Sequence, residues 1–231
     1  MKLGLVMGLG EGGRVNIDMD LIREAEDLGF DSVWSSEAWG SDAISTASWV
    51  LAQTSKIKVG TGIIQMSART PAMAAMTAMT LQHLSNDRFI LGIGPSGPQV
   101  IEGWHGMPYG RPLTRTREYI EIIRKIEARE GPLTHDGYHY QIPKTGEGTT
   151  NLGKPLKGIL HSPARLKIIT GTIAPAGVRV SAEIADGMIP VFMNPDRFDV
   201  FEDALNDGFA KAGGGKSLDD LDISPFCFVN L

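Results

Sequence analysis

The chain has 231 residues, of which 42% are hydrophobic and 21% charged, so it has the size and composition of an ordinary globular protein with a substantial core. The formal net charge of −5 excludes the basic excess that a general nucleic-acid-binding surface needs. A single cysteine, Cys227, excludes an internal disulfide, and no uncharged stretch approaches the roughly 18 residues that would span a bilayer. The first residues also lack the apolar core and cleavage site of a signal peptide. We therefore expect a cytoplasmic protein without a membrane or nucleic-acid partner.

Hydrophobic periodicity predicts strands and helices that alternate along the chain. The predicted strands are Lys2–Met7, Ser32–Trp34, Lys56–Ile64, Arg88–Gly94, Leu166–Thr172, Gly187–Phe192 and Ile223–Val229. The predicted helices are Ile17–Leu28, Ala43–Gln53, Pro71–Leu84, Thr114–Arg129, Ala176–Ala185 and Pro195–Ala212. In the first helix we expect a buried face made of Ile17, Leu21, Ala25 and Leu28. In the third helix we expect the methionines of residues 73–79 to belong mostly to the core.

Two segments interrupt this alternation, around residues 95–112 and 131–165. The first is rich in glycine and proline and is predicted to be a loop-rich insertion. Within the second, Thr134–Gln141 is predicted to be a β-hairpin with Asp136 and Gly137 as its tight turn.

Strands that alternate with helices pair in parallel through right-handed crossovers. With no visible linker, this pattern favours one α/β domain over residues 1–231, a (β/α)8 barrel of the TIM type, over a doubly wound open sheet. Only about seven strands are accounted for, whereas a complete barrel typically has about 250 residues or more. The sequence therefore predicts a barrel that is incomplete at its C-terminus, without the last helix, the eighth strand and the final helix.

Residues 92–97 match the G-x-G-x-x-G pattern directly after a predicted strand. A dinucleotide-binding fingerprint would need a helix at once, but Pro98 and the glycine-rich stretch 103–110 follow. It would also need a strand ending in an acidic residue about 20 residues later, and none is predicted. We interpret the motif as a strand-end loop where glycine allows a ligand to approach the backbone. The five histidines lack metal-ligand spacing, so no metal site is predicted.

Loops after four predicted strands carry the candidate site. Glu37 and Trp39 follow the second strand, residues 65–70 the third, residues 95–97 the fourth and residues 172–177 the fifth. In a parallel barrel all four loops lie on one face. Any one of these residues alone would be explained as loop surface or a helix cap, but the four loops together predict a ligand pocket.

Five stretches carry a family resemblance that runs over nearly the whole chain. They are AEDLGFDSVWSSEAW, VGTGIIQMSARTPAMAAM, HLSNDRFILGIGPSGPQVIEGWHGMPYGRPLTRTREYIEIIRKI, LGKPLKGILH and AEIADGMIPVFMNPDR. They resemble the luciferase-like monooxygenase superfamily, in particular its coenzyme F420-dependent branch. The resemblance implies a barrel of the bacterial luciferase-like kind, with a deazaflavin or flavin ring across the carboxyl ends of the strands. It further implies an enzyme that passes a hydride between this ring and a small organic substrate.

The resemblance also implies roles for particular residues, including a cis peptide bond between Gly62 and Ile63 in a bulge of the third strand. The cofactor-binding residues that it implies are Gly62, Ile63, Gln65, Arg69, Thr70, Gly94, Ser96, Gly97, Ala174, Gly177 and Val178. The cofactor phosphate would lie at the helix start around residues 174–178, where helix amides favour an anion. Many relatives have a lysine where this chain has Ala176, and some have an acidic residue where it has Pro95, so phosphate and substrate recognition differ in detail.

By the same resemblance, Glu37 is the candidate proton donor or acceptor and Trp39 a wall of the pocket. Arg69, Arg111 or Arg115 is expected to contact the anionic tail of the cofactor at the rim.

The favoured function is an F420-dependent reductase or dehydrogenase that acts on a small carbonyl, alcohol or activated alkene. Two alternatives stay open: an FMN-dependent monooxygenase that uses oxygen, and a non-catalytic fragment or a subunit that completes its barrel with a partner. Relatives commonly form homodimers through barrel helices, so a homodimer is the partner that the resemblance implies beside the small-molecule substrate.

Overall fold

A computed structural model describes residues 2–8, 13–191 and 193–227, and strands alternate with helices in it as predicted. The strands are β1 (Gly4–Val6), β2 (Ser32–Ser35), β3 (Lys58–Thr61), β4 (Ile64–Gln65), β5 (Phe89–Gly94), β6 (His135–Asp136), β7 (Gln141–Ile142), β8 (Ile168–Gly171), β9 (Gly187–Ile189) and β10 (Asp222–Ile223). The α-helices are α1 (Met19–Asp27), α2 (Ala43–Leu51), α3 (Pro71–Ser85), α4 (Pro98–Gly103), α5 (Pro112–Ala128), α6 (Pro175–Ile184) and α7 (Glu202–Ala212). Two 3₁₀-helices cover Pro195–Phe201 and Leu218–Asp220.

The strands form one parallel sheet in the order β1-β2-β3-β5-β8-β9-β10, with β4 paired to β5. The sheet is curled. A Cβ atom at Gly62, just after β3, would lie 3.5 Å from Ile189 Cδ1 of β9. These strands are three places apart in the sheet order and would be about 14 Å apart in a flat sheet. The predicted α/β barrel architecture with about seven strands is confirmed, and within the described residues β1 and β10 remain unpaired edges of a half-barrel.

Side chains alternate between the outer and the inner face of the curled sheet. Val33 and Val59 point outward and pack with the helices in the largest apolar cluster, whereas Trp34 belongs to an inner cluster with Ile90. Trp34 fills the interior because Gly60 has no side chain: a Cβ there would lie 2.4 Å from the indole ring. The core therefore has two layers, one between sheet and helices and one inside the half-barrel.

The predicted third strand, Lys56–Ile64, is divided into β3 and β4. Gly60 pairs with Ile90 and Ile64 with Ile93, so three residues (61–63) on one side face two residues (91–92) on β5. This extra residue forms a bulge, which re-aims the following side chains. The peptide bond between Gly62 and Ile63 in this bulge is cis, as the resemblance implies.

The predicted buried face of the first helix is wrong in part. Asp18 caps the helix, so Ile17 precedes it, and the buried residues are Ile22 and Ala25. Leu21 is 47% exposed. The predicted end, Leu28, is the C-cap and 71% exposed. The helix presents a narrow stripe to the sheet, and both leucines lie on the same side of it.

The methionine-rich helix α3 has nearly its predicted bounds but a different core face. Met73 and Met76 are exposed, and Met79 is the buried methionine. The contact with the sheet is made by small residues instead, Ala74 and Ala78 among them, because small side chains let a helix lie close to a sheet.

The two insertions also differ from the prediction. The hairpin exists, since β6 and β7 pair antiparallel, but its loop is residues 137–140 rather than a two-residue turn. The loop is longer because the carboxylate of Glu118 accepts the N–H groups of residues 138–140. In the other insertion, α4 begins at Pro98, directly after the glycine motif, so the expected absence of a helix there is wrong. That helix has only six residues, and the next strand of the sheet, β8, begins at residue 168.

The C-terminal elements are shorter than predicted. β9 ends at Ile189, and the predicted end of that strand, Phe192, lies outside the described residues. The predicted helix Pro195–Ala212 divides into a 3₁₀-helix and α7, and the 3₁₀-helix is itself kinked at Arg197, which has non-helical dihedral angles. β10 covers only Asp222–Ile223, and the predicted strand end at Val229 also lies outside the described residues.

Candidate active site

The four loops that the sequence singled out follow β2, β4, β5 and β8. Because these strands are parallel neighbours in one sheet, the loops lie together at its carboxyl edge. In the described ranges, no group of three or more His, Cys, Asp or Glu side chains is placed to hold a metal ion. No helix among those same residues is long and apolar enough to cross a membrane.

Glu37 joins the loop after β2 to two other elements. Its side chain is 8% exposed, and its Oε2 accepts the N–H of Ala43 at the start of α2 at 3.1 Å. Its Oε1 accepts the N–H of Gln65 at 2.8 Å and pairs with the guanidinium of Arg69. Both carboxylate oxygens therefore have protein donors, and one side chain fixes the loops after β2 and β4 relative to each other.

Arg69 extends this network to Asp42, the N-cap of α2, which accepts the N–H of Ser45 at 2.7 Å. Burial alone would lower the pKa of Arg69, but the hydrogen bond and charge of Glu37, together with the charge of Asp42, raise it. Burial alone would raise the pKa of Asp42, but the hydrogen bonds from Ser45 and the charge of Arg69 lower it. Both directions favour the charged forms of Arg69 and Asp42. Sequence reasoning missed Asp42, although an aspartate directly before a predicted helix is a capping signal.

Gln65 and Thr70 are held by backbone contacts in the same region. Gln65 is 1% exposed, and its Nε2 donates to the carbonyl of Ala38 at 2.7 Å. Its buried Oε1 has no donor among the residues described, which leaves one acceptor of the site unused. Thr70 caps α3 by accepting the N–H of Met73 at 3.2 Å. Behind this loop, the buried hydroxyl of Tyr119 donates to the carbonyl of Arg69 at 3.2 Å.

Glycines at the strand ends form a shallow apolar floor, defined by Gly62, Ile63, Gly94 and Gly171. The Ile63 side chain lies over Gly94 of β5 and Gly171 of β8. A Cβ atom at Gly94 would lie 2.8 Å from Ile63 Cδ1, and one at Gly171 would lie 3.0 Å from Ile63 Cγ2. Gly62 faces the barrel interior, where a Cβ atom added to it would lie 3.6 Å from the ring of Phe226. Sequence reasoning missed that Phe226 lies beside this floor. A floor made of glycine backbone and one aliphatic side chain fits a flat aromatic ring such as a deazaflavin or flavin.

Two helix starts flank the floor. Ser96 has a positive φ of 56°, and Gly97 is the N-cap of α4. Ala174 is the N-cap of α6, and its carbonyl accepts the N–H groups of Gly177 and Val178 at 2.9 and 3.0 Å. Those two amides already have an acceptor, so an anion at this helix start would depend on the amides before them. The roles of these residues in cofactor binding stay predictions.

Three other residues predicted for the site, Trp39, Arg111 and Arg115, lie outside the network of Glu37, Arg69 and Asp42. Trp39 is 66% exposed and makes no hydrogen bond to Glu37 or Arg69 in the described part of the chain. Arg115 was expected at the rim, but it is 6% exposed and bonded to protein groups, so that expectation is wrong. Arg111 lies with its guanidinium carbon 4.3 Å from the centre of the Tyr138 ring.

A cleft also lies at the opposite, amino ends of the strands, lined by Lys2, Glu26 and Lys58 among others. It contains none of the predicted site residues. The glycine floor and the network of Glu37, Arg69 and Asp42 therefore distinguish the carboxyl ends as the candidate active site.

The chain belongs to the luciferase-like monooxygenase family, whose profile matches residues 6–230. Over 224 residues it is 48% identical to a putative coenzyme F420-dependent oxidoreductase of Mycobacterium tuberculosis, a match that covers 96% of this chain and 65% of that protein. It is 30% identical over 211 residues to the 5,10-methylenetetrahydromethanopterin reductase of Archaeoglobus fulgidus, covering 91% of this chain and 59% of that protein. The chain thus spans 65% and 59% of the lengths of these curated relatives.

Among solved structures, the fold is similar to that of an F420-dependent secondary alcohol dehydrogenase in complex with an F420-acetone adduct. The TM-score is 0.78 and the identity 19%, with 97% of this chain and 68% of that chain covered. At this identity the similarity supports the barrel architecture alone.

Proposed function

We propose that this chain binds the deazaflavin coenzyme F420 at the carboxyl ends of its strands and acts in hydride transfer to or from a small carbonyl, alcohol or activated alkene. The observation that carries the proposal is the glycine floor around Ile63, which gives a flat ring an apolar surface. The F420-dependent relative at 48% identity supports F420 as the coenzyme.

The bound coenzyme would supply the hydride chemistry, and the protein would position it. Ile63 would lie under the ring, with Gly94 leaving room for it, and the start of α6 near Ala174 would face the anionic tail. We assign Glu37 to holding the loops, because both of its oxygens already accept protein donors. A part in proton transfer would require Glu37 to release one of them, and that role stays a prediction.

The proposal is tested by titrating the chain with F420 and, in parallel, with FMN, while the fluorescence of its four tryptophans is followed. We expect micromolar binding of F420 and weaker binding of FMN. Gly94→Ala should weaken F420 binding about tenfold, because the new methyl group pushes Ile63 towards the ring and overpacking of this kind costs about 1–3 kcal/mol.

Gly131→Ala is the matched control, because a Cβ at Gly131 would contact no atom within 4 Å. It should bind F420 like the unaltered chain. Tighter binding of FMN would move the assignment to the flavin-dependent members of the family. A folded chain that binds neither coenzyme, or equal affinities for the two alanine variants, would contradict the proposal.

A further inference from the structure

Arg115 connects three loops that are far apart in the sequence. It lies in the first turns of α5, and its Nη1 donates to Ser67 Oγ, in the loop after β4, at 2.7 Å. Its Nη2 donates to the carbonyl of Pro108 at 2.9 Å and contacts His139 Nδ1 at 3.3 Å. These partners belong to residues 66–70, residues 104–111 and the hairpin loop 137–140, respectively.

His139 closes the connection from the other side. Its Nε2 lies 3.0 Å from the carbonyl of Arg111, a group that accepts only, so Nε2 carries the proton and Nδ1 is free to accept from Arg115. The imidazole thus joins Arg115 to the end of the 104–111 loop. Gly110, with φ of 65°, leaves room for the ring: a Cβ there would lie 2.9 Å from His139 Cε1.

The next residues of α5 hold the same loops in place. Glu118 accepts the N–H groups of Tyr138, His139 and Tyr140 at 2.8 to 3.0 Å, which fixes the hairpin loop. Burial alone would raise the pKa of Glu118, but these three hydrogen bonds lower it, so the carboxylate stays ionised. Tyr119, one residue further on, bonds the carbonyl of Arg69. One helix face therefore organises the backbone behind the candidate active site.

Two of the three loops that Arg115 joins, 66–70 and 104–111, differ in what they carry. Residues 66–70 contain Arg69 and Thr70, which belong to the predicted coenzyme side of the site. Residues 104–111 follow β5 and α4 and present Trp104 and Met107 to solvent, 65% and 47% exposed. The same loop adjoins the candidate site, because the hydroxyl of Tyr109 donates to the carbonyl of Ser96 at 3.2 Å, so its exposed apolar side chains are available to an organic ligand there.

We propose that Arg115 is a positioning residue that couples the coenzyme-side loop 66–70 to the substrate-side loop 104–111, so that coenzyme binding also orders the surface that receives the substrate. This inference rests on the proposed function. A guanidinium suits the task because its planar fork can donate to three acceptors at once, whereas a lysine at the same place keeps the charge but cannot reproduce that geometry.

The test is hydrogen exchange of the full chain with and without F420, in the unaltered protein, Arg115→Lys and Arg117→Lys. Arg117 is a matched control two residues further along α5: it makes a bidentate ion pair with Glu183 of α6, at 2.6 Å for both contacts, and touches neither loop. In the unaltered protein F420 should slow exchange in both loops. In Arg115→Lys it should slow exchange in residues 66–70 only, and in Arg117→Lys in both.

Without ligand, exchange in residues 104–111 should be about tenfold faster in Arg115→Lys than in Arg117→Lys, because a charged hydrogen bond is lost. If F420 binds none of the proteins, the proposed function fails, and this ligand-free comparison still decides whether Arg115 holds the loop. Should Arg115→Lys not fold, His139→Gln replaces it: the glutamine amide can still donate to Arg111 but offers no acceptor at the Nδ1 position. Unchanged exchange in residues 104–111, or equal effects of the Arg115 and Arg117 variants, would overturn the inference.

Discussion

The two ends of the sheet use polar side chains differently. At the amino ends, Oε1 of Glu26 accepts the N–H groups of Ser55, Lys56 and Ile57 at 2.9, 2.5 and 2.8 Å. Arg88 donates there to four backbone carbonyls, those of Leu51, Thr54, Ile57 and Ser85. These charged side chains satisfy the backbone of the connecting loops, which is a contribution to stability.

At the carboxyl ends the charged side chains bond mainly to one another and to loop termini, and they surround the floor at Ile63. Two of the helices that begin there, α4 and α6, have no side-chain hydrogen bond at their N-caps, Gly97 and Ala174. The two ends of one parallel sheet therefore differ in role. At the amino ends, intramolecular hydrogen bonds satisfy the loop backbone, whereas the carboxyl ends keep apolar surface and helix starts available to a ligand.

The largest effect on stability and on F420 affinity is expected from Glu37→Ala, which removes the side-chain carboxylate that joins the loops at the carboxyl ends of the strands. Arg69 keeps only Asp42 as a partner, and two backbone N–H groups lose their acceptor. The loss of one of two ion-pair partners of a largely buried guanidinium, together with two unsatisfied N–H groups, should lower the free energy of unfolding by about 3 kcal/mol. F420 affinity should fall with it, as denaturant unfolding and coenzyme titration would show. Glu37→Gln keeps an acceptor oxygen and should lose less of both; an affinity equal to that of the unaltered chain in both variants would contradict this.

Glu26→Ala removes the hydrogen bonds of Glu26 at the amino ends of the strands and should have a smaller effect on stability. Ser55 and Lys56 are exposed and Ile57 is buried, so water replaces part of what is lost, and the free energy of unfolding should fall by about 1–2 kcal/mol. F420 affinity should stay within about twofold of the unaltered chain, because the proposed coenzyme site lies at the other end of the sheet. Glu24→Ala, on an exposed position of the same helix, is the control and should leave both quantities unchanged. A loss of affinity in Glu26→Ala would show that the two regions are not independent.

The pH dependence of stability should be the smallest effect and should come from both ends. Burial alone would raise the pKa of Glu26, but its three hydrogen bonds and the charge of Arg88 lower it from the ordinary 4.5, and that of Asp42 is lowered from 3.8. A carboxyl group with a lowered folded pKa contributes stability above its unfolded pKa and loses it as the pH falls through the folded pKa. The denaturation midpoint should therefore be flat from about pH 7 to 5 and fall below about pH 4. Glu26→Gln should show a shallower fall, and an unchanged slope would assign the dependence to other groups.

Local sequence patterns were sufficient for most elements of the fold. Proline at the first turn placed the start of α3, and the apolar run Phe89–Gly94 placed β5, because burial and backbone preferences act over neighbouring residues. The same reasoning placed Glu37 and Arg69 in loops on one face. It did not show that they pair, because the partner of a charged side chain depends on the register of strands that are distant in sequence.

The contacts that the sequence did not reveal are long-range ones. Glu118 appeared to be an ordinary position inside a helix, and its three acceptor contacts with residues 138–140 depend on how the hairpin folds back on α5. Arg115 was expected at the rim because its charge is visible in the sequence, whereas its burial depends on contacts with loops that are distant in sequence. The face of α1 was misjudged because Leu21 is as apolar as Ile22, so periodicity alone did not choose between them.

The central claim is that F420 binds at the carboxyl ends of the strands, and hydrogen exchange of the unaltered chain with and without F420 tests it most directly. We predict slower exchange with F420 in residues 62–70, 94–97 and 172–178, and unchanged exchange in residues 55–57 at the amino ends. Slower exchange confined to residues 55–57, beside the cleft lined by Lys2, Glu26 and Lys58, would place the coenzyme at the opposite end of the sheet and contradict the account.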